Sequence, residues 1–220
     1  KHEFDPEKGR AYLNELGINT KYLGLGVDRM DYTKGILERF KAVEFFLDNY
    51  PDYQKEFTFL QIAAPSRESV QKYQDFAADV ARETDRINEK FKSGNWKPIV
   101  LLNEHHSHEQ IGPLYRIADV CLVTSLHDGM NLVAKEYVSA RSDENGVLIL
   151  SQFTGAARDM KGALIVNPYN AIETSEAIHT ALTMPSSEQY KRMKKLRDAV
   201  KNYNVYRWSA EFIRAVTNLG

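Results

Sequence analysis

The chain has 220 residues, with 29 Lys plus Arg against 30 Asp plus Glu and a formal charge of −1, so no bulk charge recommends nucleic acid or an anionic membrane as a partner. With 43% apolar residues, 12 glycines and 7 prolines, it has material for a buried core, and collagen-like and disordered readings fail. The lone Cys121 excludes an internal disulfide framework and a thiolate zinc cluster, and no apolar run nears the roughly 18 residues that span a bilayer.

No charged-then-apolar leader opens the chain and no initiator Met begins it, which suggests a cytoplasmic protein cut from a longer polypeptide. Residues 1–20 are a leading segment. Residues 21–27 (KYLGLGV) predict a strand, and a helix follows over 35–49, where Ile36, Phe40, Val43 and Leu47 recur at spacings of four, three and four. The Tyr50-Pro51-Asp52 turn closes it, because Pro cannot continue the hydrogen-bond ladder and disfavours helix in its predecessor. A second strand covers 57–63, after which Pro65 and Ser66 introduce a charged helix over about 68–92. A third strand at 99–102 follows Gly94 and Pro98; a helix near 109–117 and a fourth strand at 120–124 come next. A helix over 131–141, a fifth strand at 147–151 and a sixth at 164–166 lead into helices over 171–184, 186–204 and 209–219. Six strands joined by helices or long crossovers imply one α/β domain, a doubly wound parallel sheet with helices on both faces. Such a sheet binds ligands beyond the carboxyl ends of its strands, where the strand order reverses. There is no internal repeat and no low-complexity linker.

Two loops carry chemistry. After the first strand comes DRMDYTKG, which places Arg29 and Lys34 five residues apart ahead of a helix. Arg supplies a planar fork of donors and Lys a mobile point charge, a pairing suited to diphosphate oxygens, and a helix N-terminus adds partial positive charge. The alternative is a pair of surface cations neutralised by Asp28 and Asp31. After the fourth strand comes SLHDGMNLVAKE. Gly129 permits a tight turn, and the unpaired N–H groups of the opening helix suit sugar hydroxyls or phosphate oxygens. Glu136 lies five residues past Asn131, where a carboxylate can accept from both hydroxyls of a vicinal diol. The structural alternatives are an N-cap for Asp128 and an ion pair with Lys135 or Arg141 for Glu136. His105, His106 and His108 match no strong zinc template. Cys121 reads as a small core hydrophobe, and Trp96 and Trp208 have no evident stacking partner.

The runs VDRMDYTKG, QIAAPSRESVQKY, DVCLVTSLHDGMNLVAKEYV, GVLILSQFTGAA and ALIVNPYN closely resemble the trehalose-6-phosphate synthase family, family 20 of the retaining glycosyltransferases, built from two Rossmann halves (GT-B). The likeness covers residues 21–219, in the family's order. A weaker one extends to glucosylglycerol-phosphate synthases. The resemblance implies that residues 1–220 are the C-terminal, Rossmann-like donor-binding domain, with a helix at 205–220 facing an N-terminal Rossmann half. It assigns the donor diphosphate to Arg29 and Lys34, the donor glucose to Asp128, and sugar and diphosphate to the backbone of Gly129, Met130, Asn131, Leu132 and Val133. Ribose falls to Glu136, the acceptor phosphate to Arg67, and the nucleobase to the main chain around His106 with an apolar contact from Ile111.

The implied partners are UDP-glucose or another nucleoside-diphosphate glucose, and glucose 6-phosphate; no cofactor and no metal are expected. Retention could mean double displacement on a carboxylate nucleophile. The resemblance implies instead same-face attack assisted by the leaving phosphate, which leaves Asp128 to position the sugar. A transferase with another acceptor, such as glycerol 3-phosphate, and a non-catalytic nucleotide-sugar-binding module stand as the alternatives.

Overall fold

The computed structural model describes residues 4–67 and 69–202. Six strands, β1 (Tyr22–Arg29), β2 (Phe57–Ala64), β3 (Ile99–Leu102), β4 (Val120–Val123), β5 (Val147–Ser151) and β6 (Leu164–Val166), form one sheet. All pairs are parallel and the order is β3-β2-β1-β4-β5-β6. Strand order therefore reverses between β1 and β4, and the crevice expected of a doubly wound sheet opens at their carboxyl ends. The doubly wound expectation holds.

Period-two alternation sends successive side chains to opposite faces. Leu23, Leu25, Leu60, Ile62, Cys121, Val123, Leu148 and Leu150 join one buried layer, against α1 (Pro6–Glu15), α4 (His108–Ile117), α5 (Leu132–Ala140) and α7 (Ser186–Asn202). Phe57, Phe59, Val120, Leu122, Val147 and Ile149 join the other, against α2 (Ile36–Asn49), α3 (Gln71–Lys90) and α6 (Ala171–Thr183). Cys121 is buried in β4, and burial pushes its thiol up from the ordinary range, in keeping with a core role.

Several boundaries move for physical reasons. β1 runs two residues beyond its apolar part, because Asp28 and Arg29 still pair with Ala63 and Ala64. α2 starts one residue later than expected, since Gly35 is left-handed (φ 67°) and closes a single 3₁₀ turn, Tyr32–Lys34, that precedes the helix. The leading segment contains the unexpected α1, begun by Asp5, whose carboxylate accepts from the Glu7 N–H at 2.9 Å. α1 packs on α4, with Phe4 against Gly112 and Gly9 against the Pro113 carbonyl. Trp96 donates to the Phe57 carbonyl at 3.0 Å rather than stacking. The expected helix at 205–220, with Trp208, lies outside the described residues. Among those residues no helix is long and apolar enough to cross a membrane.

Candidate functional site at the switch point

The β1–α2 loop and the β4–α5 loop meet over the reversal of the sheet. The N–H groups of Leu126 and His127 both donate to the Thr33 carbonyl, at 2.8 and 3.4 Å. Asp31 caps the 3₁₀ turn, its Oδ1 accepting from the Thr33 N–H (2.9 Å) and hydroxyl (2.8 Å). That turn directs Lys34 towards Asp128, and Lys34 Nζ donates to Asp128 Oδ2 at 2.6 Å. Two residues 94 apart in sequence thus hold each other at the mouth of the crevice, with side chains only 14% and 15% exposed.

The alternative reading, in which Asp28 and Asp31 pair with Arg29 and Lys34, is not what the structure shows. Asp28 is engaged below by Arg39 (2.6 Å), and Asp31 by its own turn. Arg29 is exposed at the end of β1 and forms no ion pair among the described residues. At Asp128, burial raises the carboxyl pKa, but the Lys34 hydrogen bond and charge, with help from the Met130 N–H and Asn131, hold it below its ordinary value. It is an ionised acceptor, and no N-cap.

The N-cap of α5 is Asn131, whose carbonyl oxygen accepts from the Ala134 N–H at 3.1 Å while its amide donates to Asp128 Oδ2 at 3.1 Å. The positive-φ residue of the turn is also Asn131 (φ 64°), and Gly129 is not at positive φ. Asn tolerates that region because its short polar side chain bonds locally. A Cβ at Gly129 would meet nothing within 4 Å, so no contact among the described residues requires a glycine there. The turn is pinned from the far side: Asp128 N–H donates to the Phe153 carbonyl (3.3 Å), and the N–H groups of Gly155 and Ala156 donate to Asp128 and Met130 carbonyls (3.0 and 3.2 Å). Met130 and Leu132 are exposed and Val133 is half-buried. The N–H groups of Leu132 and Val133 open the helix and have no intrahelical acceptor.

Glu136 lies half-buried on α5. It pairs with neither Lys135 nor Arg141. Its Oε2 accepts from the Tyr115 hydroxyl at 3.3 Å, and Oε1 stands 3.9 Å from His108 Nε2. Arg141 instead donates to the Arg116 and Ala118 carbonyls at 2.8 Å, closing the end of α4. His106 Nδ1 faces the Glu104 carbonyl at 3.3 Å, and its Nε2 is 2.8 Å from the Tyr12 hydroxyl of α1. In the neutral ring Nδ1 then carries the proton and Nε2 accepts. Ile111, on α4, is half-buried and packs on the core layer. Arg67 is exposed after β2, donating to the Tyr73 hydroxyl at 2.9 Å; Tyr73 in turn rests against Tyr32 of the 3₁₀ turn at 5.7 Å. Among the described residues, no three His, Cys, Asp or Glu are grouped so as to hold a metal ion.

The structure therefore joins Lys34, Asp128 and Asn131 directly, adds Arg29, Arg67, His106 and Glu136 along the carboxyl edge, and leaves Ile111 partly in the core. It also reveals residues that motif reading passed over: Arg39, Gln61, Thr124, Tyr115 and Tyr12. Arg39 carried a usable signal, an arginine on the apolar stripe of α2 three residues after Ile36. Tyr12 and Tyr115 carried none, since their contacts depend on how helices pack.

Fold and site together define a Rossmann-like domain whose switch point offers cations, an ionised carboxylate and an open helix N-terminus, equipment for a ligand with phosphate and polyol parts. A model of glycosyltransferase family 20 matches residues 8–218, and the chain belongs to that family. It is 41% identical over 215 residues to the trehalose-6-phosphate synthase of Klebsiella pneumoniae subsp. pneumoniae, covering 97% of this chain and 45% of that protein. An E. coli structure bound with UDP-2-fluoro glucose is similar with a TM-score of 0.88 at 37% identity, over 97% of this chain and 50% of that one. An α,α-trehalose-phosphate synthase (UDP-forming) from Burkholderia xenovorans in complex with glucose-6-phosphate gives 0.87 at 37% identity, over 98% and 50%. The chain spans about half the length of these relatives.

Proposed function

We propose that this chain is the donor-binding half of a retaining glucosyltransferase that moves glucose from UDP-glucose to glucose 6-phosphate, yielding α,α-trehalose 6-phosphate. One observation carries the reading: Lys34, Asp128 and the open end of α5 converge at the switch point. The ligands of the E. coli and Burkholderia xenovorans relatives support it.

In this reading Arg29, Lys34 and the N–H groups at the start of α5 take the diphosphate. As the sugar C1–O bond breaks, positive charge grows on the ring and negative charge on the departing phosphate. Fixed cations and amide dipoles stabilise the latter without reorganising, and no divalent metal is needed for that task. The acceptor hydroxyl attacks C1 on the face the phosphate leaves, and its proton passes to the leaving phosphate oxygen. Asp128 stays ionised and accepts from a sugar hydroxyl; with Oδ2 already held by Lys34 and Asn131, it orients the ring rather than attacking it. Glu136 takes the ribose diol, the main chain near His106 takes the base, and Arg67 contributes to the acceptor phosphate.

A second Rossmann half supplies the remaining acceptor contacts. The 220-residue chain is accordingly expected to bind UDP-glucose weakly and to turn over negligibly by itself. Calorimetric titration with UDP-glucose and an assay for released UDP test both statements. Absence of binding overturns the donor site, and appreciable trehalose phosphate from the chain alone overturns the division of labour.

A further inference from the structure

We propose that Arg39 is a positioning residue that sets the spacing of the two donor-binding loops, acting through Asp28, Thr124 and the Lys34 backbone. The inference rests on the donor-site reading above.

β1 pairs with β2 as far as Arg29–Ala64, but with β4 only at Gly24–Val120 and Leu25–Cys121. Beyond that point a side chain from α2 does what the ladder does elsewhere. Arg39 Nη1 donates to Asp28 Oδ2 on β1 and to Gln61 Oε1 on β2, both at 2.6 Å. Its Nε donates to the Thr124 hydroxyl at the end of β4, 2.9 Å away, and its Nη2 reaches the Lys34 carbonyl at 3.2 Å. Every guanidinium nitrogen is used, and each bond ends on a different element.

The surroundings admit this fork and little else. Arg39 has no exposed side-chain surface and Asp28 only 3%. A Cβ on Gly26 would stand 2.4 Å from Gln61 Oε1 and 2.7 Å from Arg39 Nη1, so the strand carries a glycine where the guanidinium passes. Burial pushes the Asp28 carboxyl up, and Arg39 offsets part of that rise. A buried ion pair is a poor way to gain stability, because desolvation consumes most of the attraction. What a rigid, multiply bonded guanidinium does well is hold several groups at fixed separations. Here it holds the root of Lys34 below while the ammonium of Lys34 meets Asp128 above. Arg39 itself is sealed from solvent, so it acts only through the groups it bonds.

The test is the affinity advantage of UDP over uridine, measured by NMR titration of the chain, because a loop-spacing role acts on the diphosphate and spares the base and ribose. Arg39→Lys keeps the charge and loses the fork. The double variant Asp28→Asn with Arg39→Met leaves no orphan charge, so it guards against a simple failure to fold. Each is expected to cut the UDP-over-uridine ratio by about tenfold, with uridine affinity within about twofold of wild type. Thr124→Val, which removes only the β4-side acceptor, is expected to cut the ratio about threefold. Folded variants that keep the wild-type ratio, or that lose UDP and uridine equally, overturn the proposal. A wild-type chain that binds UDP no better than uridine overturns the donor-site reading itself.

Discussion

The Lys34–Asp128 contact shows how one residue sets the chemistry of another. Burial alone would raise the Asp128 carboxyl, yet Lys34 holds it below its ordinary value. A carboxyl depressed in the folded state contributes stability above its unfolded pKa of about 3.9, and that contribution is lost as pH falls through the folded value. Lys34→Met removes the opposing cation and leaves burial as the dominant influence. The Asp128 titration, followed by carboxyl-carbon NMR, is expected to move up; a titration that stays put would show that the two groups do not pair in solution. Arg29 is the complementary case, exposed and with no ion-pair partner among the described residues. Arg29→Ala is expected to change folding stability by under about 0.5 kcal/mol while weakening UDP binding by about tenfold, the worth of a charge-assisted hydrogen bond. Calorimetry beside a thermal melt separates the two effects, and an unchanged UDP affinity removes Arg29 from the diphosphate site.

At the scale of elements, the turn at 128–131 is only as firm as what presses on it. The short 3₁₀ helix Gly155–Arg158 begins directly beneath, and a Cβ at position 155 would stand 2.0 Å from the Gly129 carbonyl oxygen. Backbone has to give way, so Gly155→Ala is expected to lower the urea midpoint by an amount equivalent to about 1–3 kcal/mol and to weaken UDP binding several-fold. Wild-type values for both would show that the turn floats free of its neighbour. The same scale explains what could be read in advance. The strands at 99–102, 147–151 and 164–166 were legible because short apolar runs end at Gly, Pro or Asn. β1 was legible only to Val27, since hydropathy stops there while the ladder continues through Arg29. α1 escaped because a mostly polar helix gains its place from Phe4, Tyr12, Leu13 and Leu16 meeting a distant part of the chain. Both site loops were legible as motifs, but their pairings were not: nothing local links Lys34 to Asp128, Tyr115 to Glu136 or Arg39 to Thr124. Arg39 carried a local hint, an arginine on the apolar stripe of α2, but only packing reveals which groups it bonds.

Across the whole molecule, two apolar layers clamp a sheet whose strand order sets loops about ninety residues apart side by side. The site exists only when that order exists, so the unfolded chain has none, and a ligand of the site stabilises the fold by mass action. UDP at a hundred times its dissociation constant adds about 2.7 kcal/mol, and for a domain of this size about 2–4 °C accompanies each kcal/mol. Melting is therefore expected to rise by roughly 5–11 °C in scanning calorimetry. For Arg29→Ala, with UDP affinity about tenfold weaker, the same UDP concentration is only about ten times the dissociation constant, and the rise should fall to roughly half. Glucose 6-phosphate at that concentration should shift melting less than UDP does, because in the proposed reading most acceptor contacts come from the other Rossmann half and this one contributes Arg67. A melting temperature indifferent to UDP would mean that the switch point, however well equipped with cations and open amides, does not hold a diphosphate in this chain.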